Sequence, residues 1–214
     1  MANDPGIVLT GPRVRLRPWG DDDLAPFAAL NADSQAMRFF PAPLSRDESD
    51  ALALRIRANF AARGFGLWAI DVPATEAGGE QAADLEFAGF VGLAFVGFEA
   101  PFHDLQSPKL EIGWRLKREA WGHGYATEGA HLVLDHAFAV LKRVEIVSFT
   151  ALSNTPSMRV MERIGLQRDI EFEHPRLPEA HPLRRQVLYR IGVERWKALR
   201  EAANTAASTP QGQG

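Results

Sequence analysis

At 214 residues, 46% hydrophobic and 24% charged, the chain has the size and composition of one large globular domain. A formal net charge of −3 argues against nucleic acid as a partner, because such binders present a basic face. With no cysteine there is no disulfide, no thiolate nucleophile and no cysteine-based metal site, which fits a reducing compartment.

The opening stretch MANDPGIVLTGPRVRLRPW carries Asp4 and Pro5 where a secretory leader would place an apolar run. No run of roughly eighteen apolar residues follows, so no membrane span is expected and the expected setting is the cytoplasm. Residues 13–19 alternate Val14 and Leu16 against Arg13, Arg15 and Arg17, the pattern of a half-buried strand. Asp21, Asp22 and Asp23 stand where the amino end of a helix favours negative charge. Ser45 and Glu48 form a capping box that predicts a second helix over 46–63, closed by Gly64. A strand is expected over 65–72, a polar Gly/Ala-rich hairpin loop over 73–84, and an aromatic-rich strand over 87–98. Glycines in that last strand mark a bulge or a close backbone approach.

Residues 109–117 alternate cleanly, with Leu110, Ile112, Trp114 and Leu116 on one face and Glu111, Arg115 and Lys117 on the other. WGHGYA (121–126) follows. Then comes a helix in which Ala126, Ala130, Val133, Leu134, Ala137, Phe138 and Leu141 recur at helical spacing. The remainder reads as a strand over 144–152, then a helix with Thr155 as N-cap, Pro156 in its first turn and Gly165 past its end. A strand over 166–173, a proline-rich loop over 174–183, a strand over 184–192 and a closing helix complete the order. Residues 1–203 are thus one domain and 204–214 a low-complexity, flexible tail. Strands in a largely contiguous run with helices inserted between them indicate an α+β or mixed α/β fold.

Gly122 and Gly124 admit three readings. One is a plain turn between strand and helix. A dinucleotide fingerprint would need glycine where Thr127 stands and an acidic residue at the end of the next strand, whereas Glu145 falls at its start. The third reading is a backbone cradle that holds a pyrophosphate at a helix amino terminus.

LEIGWRLKREAWGHGYATEGA and, further on, NTPSMRVMERIGLQRD together resemble the GCN5-related N-acetyltransferase (GNAT) superfamily. The nearer likeness is to the branch that includes ribosomal-protein N-terminal acetyltransferases. The family's loop pattern falls on Trp121 to Ala126, with Trp121 departing from the usual Arg or Gln. The second block matches through Asn154, Ser157, Glu162, Arg163, Gly165 and Leu166, and the likeness in element order runs from residue 8 to residue 200. It implies a GNAT-type acyl-CoA N-acyltransferase fold: a central mixed, mostly antiparallel sheet with a splayed parallel strand pair, here 109–117 and 144–152, flanked by helices.

Acetyl-CoA would lie in that splay. Its pyrophosphate would sit on Trp121, Gly122, His123, Gly124, Tyr125 and Ala126, and its pantetheine beside Trp114, Arg115 and Leu116. The implied activity is direct acetyl transfer to a primary amine, either a protein N-terminus or a small molecule; a non-catalytic acyl-CoA-binding module is the alternative. Glu111 is the candidate base, or else a solvated or salt-bridged strand carboxylate. Many family members use a tyrosine as acid at the position of Met161, which cannot donate a proton. Ser157 is the replacement candidate, or else a first-turn helix serine. Asn154 contacts CoA or positions the thioester, or else is a turn residue. Glu128 reads as a carboxylate that caps the helix or orients the loop. His131 and His136 lack the i, i+4 spacing of a metal pair, and no metal is expected. His174 is a surface or acceptor-side histidine, and Trp19, Phe39 and Phe40 line the acceptor pocket or belong to the core. The expected partners are acetyl-CoA and an amine, with neither nucleic acid nor membrane, and with a homodimer left open. Because free amine is scarce at low pH, Glu111→Gln is expected to lower turnover most there.

Overall fold

The Ser45 side chain accepts from the Glu48 amide while Glu48 accepts from the Ser45 amide at 2.8 Å. The helix therefore starts where the capping box places it and runs over Arg46–Arg63, stopped by Gly64 at φ 73. This is α2 in a computed structural model that describes residues 7–74 and 85–208. The predicted 73–84 loop lies outside the described residues beyond Ala74, and so do residues 209–214. The strands are β1 (Leu9–Thr10), β2 (Arg15–Arg17), β3 (Leu67–Pro73), β4 (Leu85–Phe95), β5 (Leu110–Leu116), β6 (Glu145–Ala151), β7 (Gln167–Glu173) and β8 (Arg185–Gly192). The other helices are α1 (Leu24–Ala32), α3 (Tyr125–Asp135), α4 (Thr155–Arg163) and α5 (Val193–Ser208).

Three details differ from the sequence expectation. Asn154, not Thr155, is the N-cap of α4, because its Oδ1 accepts from the Ser157 amide at 3.3 Å. The predicted helix over α3 changes after Asp135 into a π-type turn, His136–Val140. The closing helix runs on to Ser208, so the first residues of the expected tail are helical.

The strands form one eight-stranded sheet in the order β1-β2-β3-β4-β5-β6-β8-β7. Every neighbouring pair is antiparallel except β5 and β6. On one face, α3 and α4 cover Leu16, Ile70, Val91, Ile112 and Ile146. A Cβ at Gly129 would come within 3.2 Å of Ile70 Cδ1 and 3.3 Å of Val91 Cγ2, so glycine lets α3 sit close to the sheet. On the other face, α1 and α2 bury Trp19, Phe27 and Phe90 around Ala69, and a second apolar group gathers Phe98, Phe102, Phe149 and Phe172 around Val147. Fully burying a residue such as Phe27 contributes about 2–3 kcal/mol. The polar side of β5 runs between these two apolar groups. The bulge expected in the aromatic-rich strand is present: β4 shifts register against β3 beside Gly89, which adopts φ 137 and whose Cβ would lie 2.0 Å from Arg115 O.

Candidate active site

β5 and β6 meet in a single register pair, Glu111 with Val147, and Ser148 Oγ donates to Ile112 O at 2.8 Å beside it. Beyond that point β5 continues against β4 as far as Leu116, and β6 continues against β8 as far as Ala151. The facing edges of the two strands therefore part, and their amides and carbonyls are left for an inserted partner. At the closed end, Glu145 takes Lys109 at 2.7 Å and Arg190 at 3.1 Å.

Because the pair is parallel, the amino ends of both following helices, α3 and α4, lie at the open end. Before α3 the chain makes a 3-10 turn, Arg118–Ala120, then passes through Gly122 at φ 82 and Gly124 at φ 83. The first bond returning into α3 is Glu128 N to Gly124 O at 3.0 Å, so the preceding first-turn amides have no acceptor within the helix. An added Cβ at Gly122 would meet nothing within 4 Å; the left-handed backbone, not crowding, requires glycine there. Free amides at the positive end of a helix dipole, on a backbone unobstructed by side chains, match a pyrophosphate.

The loop is held from three sides. Glu128 accepts from the Arg13 amide at 2.7 Å and the Val14 amide at 3.2 Å, and pairs with the Arg13 guanidinium at 2.8 Å. Arg13 Nη1 in turn donates to His123 O at 2.9 Å, so Glu128 orients the loop through Arg13, in the turn before β2. Trp121 donates its indole N–H to Leu116 O at 2.8 Å, and the guanidinium of Arg38 lies 4.8 Å from its ring centre. Arg118 pairs with Asp33 at 2.7 Å. Nothing in the sequence singled out Arg13 or Arg38, because their partners are distant along the chain and the strand pattern marks Arg13 only as outward-facing.

Glu111 keeps some exposure as a residue, yet the protein desolvates its carboxyl and pushes its pKa up from the ordinary 4.5 to about 8. Gly113, next on that face, leaves open space above it: a Cβ there would meet only Glu111 Oε1, at 3.9 Å. Arg115 follows, buried enough that desolvation lowers its pKa to about 10. It donates through Nη1 to Asn31 Oδ1 and lies 3.8 Å from the centre of the Phe40 ring.

On the opposite lip, Asn154 uses Oδ1 as the cap of α4 and donates Nδ2 to Thr150 Oγ1 at 2.8 Å. Ser157 is half-buried on the first turn of α4, and Met161 is buried in the core. His174 packs 4.4 Å from Phe98, with Nδ1 accepting from the Arg176 amide at 3.2 Å; burial, then the charge of Arg176, holds its pKa below the ordinary value. Trp19 is core, donating to Leu67 O at 2.7 Å, whereas Phe40 faces Arg115 and Phe39 faces Arg38. Glu111 and Arg115 thus stand on β5, and the 121–126 loop, Asn154 and Ser157 lie at the amino ends of α3 and α4, where β5 and β6 have parted.

Residues 13–167 match the family described as acetyltransferase (GNAT) domain. The chain belongs to the GNAT acetyltransferases. FsC-acetyl coenzyme A-N(2)-transacetylase of Aspergillus fumigatus is 26% identical over 197 residues, covering 90% of this chain and 79% of that protein. An acetyltransferase from Agrobacterium tumefaciens superposes with a TM-score of 0.64 at 27% identity, covering 86% of this chain and 94% of that one. The ribosomal alpha-N-protein acetyltransferase RimL, solved in complex with coenzyme A, shares the fold with a TM-score of 0.65 at 15% identity, over 88% and 99% of the two chains. As a GNAT enzyme, this protein transfers an acetyl group from acetyl-CoA to an amine.

Proposed function

We propose that the acceptor approaches on the Glu111 side of β5 and that it is an α-amine, on a polypeptide N-terminus or a small molecule in the cytoplasm. The observation that carries this reading is the parting of β5 from β6 directly after Glu111, with the amide-lined start of α3 at the open end. The loop Trp121–Ala126 holds the pyrophosphate of acetyl-CoA. The free edge of β5 at Trp114, Arg115 and Leu116 pairs with the amides of the pantetheine arm as a further strand would. The thioester then points toward Glu111.

Attack requires a neutral amine, and Glu111, once ionised, removes the proton. Its pKa of about 8 matches an α-ammonium group near 8. A lysine-type ammonium near 10.4 lies about two units higher, a mismatch of roughly 3 kcal/mol against proton transfer. Amides on the parted strand edges supply donors for the tetrahedral oxyanion. As the new N–C bond forms and the C–S bond breaks, the departing thiolate faces the amino end of α4, where the helix dipole favours negative charge and the Ser157 hydroxyl relays a proton to it from solvent. Asn154 keeps that helix end in place.

Thiol release from acetyl-CoA, measured across N-terminal peptides, amino acids and polyamines, tests the reading. The expected result is a higher kcat/KM for α-amines than for terminal alkyl amines at pH 7. Acetyl-CoA binding with no acceptor-dependent release across the panel would instead mark a binding module.

A further inference from the structure

Among the described residues, the Arg115 side chain pairs with no carboxylate and holds no part of the 121–126 loop. It stands on the Glu111 side of β5 and is 9% exposed. Still charged at neutral pH, a buried guanidinium is ordinarily matched by an anion. Here its neighbours are neutral. Nη1 donates to Asn31, whose Nδ2 donates to Ser49 Oγ at 2.9 Å, and the Phe40 and Phe90 ring centres lie 3.8 and 5.4 Å from the guanidinium carbon. Nε has no hydrogen-bond partner. With Nη1 engaged by Asn31, the side-on edge of Nε and Nη2 remains, an edge that grips a carboxylate through two parallel bonds.

We propose that this edge of Arg115 receives a carboxylate of the acceptor, so that the amine acetylated by this enzyme carries an acidic group several bonds from its nitrogen. The inference rests on the reading of the Glu111 face as the acceptor side. Glu111 and Arg115 occupy positions i and i+4 of one strand, roughly 13 Å apart at 3.3 Å per residue. Gly113 between them leaves the path open. Extended glutamate holds its amine and side-chain carboxylate about 6 Å apart, and a hydrogen bond of about 3 Å at each end brings the reach close to that backbone spacing. The Glu111 carboxyl shortens the gap by leaning to within 3.9 Å of where a Gly113 Cβ would stand. Such an acid can be a free amino acid or sit beside a peptide N-terminus; the carboxylate of glycine sits too near its own amine.

Two matched pairs decide the matter: glutamate against glutamine, and the peptide amides Ser-Asp-Ala against Ser-Asn-Ala. Acetylation is measured with the unaltered enzyme, Arg115→Gln and Arg115→Lys, alongside calorimetric binding of the same compounds to CoA-loaded protein. In at least one pair the unaltered enzyme is expected to favour the acid on the order of ten- to a hundredfold in kcat/KM. Which pair responds distinguishes a free amino acid from a peptide. Arg115→Gln is expected to erase the ratio, and Arg115→Lys to restore it only in part, since lysine lacks the fork. Equal kcat/KM within both pairs overturns the inference however fast transfer runs. So does an equal loss for acid and amide in Arg115→Gln, which would make Arg115 a brace for Asn31 and Phe40. Failure of every acid to bind or react overturns it as well. Acid-selective, Arg115-dependent binding without acetyl transfer leaves the inference standing and removes the transfer reading.

Discussion

Desolvation keeps a proton on Glu111 up to about pH 8, so the side chain is a base only above that range. Expressed per ammonium form of the acceptor, kcat/KM of the unaltered enzyme is expected to rise and level off near pH 8 as Glu111 ionises, while Glu111→Gln rises without that plateau. A matching profile in the two proteins would remove Glu111 as base. Stability carries the same signature. The folded pKa lies above the unfolded one, so the contribution is full below 4.5 and is lost as pH climbs to about 8. Urea unfolding should therefore show Glu111→Gln gaining on the unaltered protein as pH rises. Alternation along 109–117 placed Glu111 and Arg115 on one side of a strand. It carried no sign of how deeply either is buried, because burial depends on parts distant in sequence, as Asn31 of α1 and Phe40 show against Arg115.

At the scale of elements, the cradle depends on two left-handed residues and the first turn of α3. Gly124→Val forces a β-branched side chain into φ 83, a region costing L-residues about 1–2 kcal/mol. The loop should relax away from its present course, and calorimetry should show acetyl-CoA binding weakened by about tenfold or more. Unchanged affinity would place the pyrophosphate elsewhere. Local chemistry made this region legible: glycines at the turn, a capping box ahead of α2, an Asn/Thr pair before α4. The ambiguity lay within that last pair, since both residues cap helices well, and only the hydrogen bond from the Ser157 amide to Asn154 decides between them. The π-type turn after Asp135 keeps the apolar spacing of the helix it interrupts, so periodicity passes over it.

Across the whole molecule, the order of strands and helices follows from periodicity, but the parallel pairing of β5 with β6 does not. Hydrophobic alternation is blind to strand direction, and the splay was foreseeable only through the likeness of two sequence blocks to a family. The arginines that lace segment 31–40 to the end of β5 and the loop were less legible still, because each joins positions far apart in the chain. Arg118 holds Asp33 at 2.7 Å, Arg38 lies 4.8 Å from the centre of the Trp121 ring, and Arg115 lies 3.8 Å from that of Phe40. Segment 31–40 thus shares its fastenings with the end of β5 and the turn that follows it. A ligand on one side that shifts these fastenings changes the free energy of occupying the other, and thermodynamic reciprocity makes that change symmetric. Calorimetry should find CoA raising acceptor affinity by the same factor by which acceptor raises CoA affinity, and loss of Arg38 should shrink both factors together. A factor of one in the intact protein would mean that these cationic fastenings carry no message between the two sites.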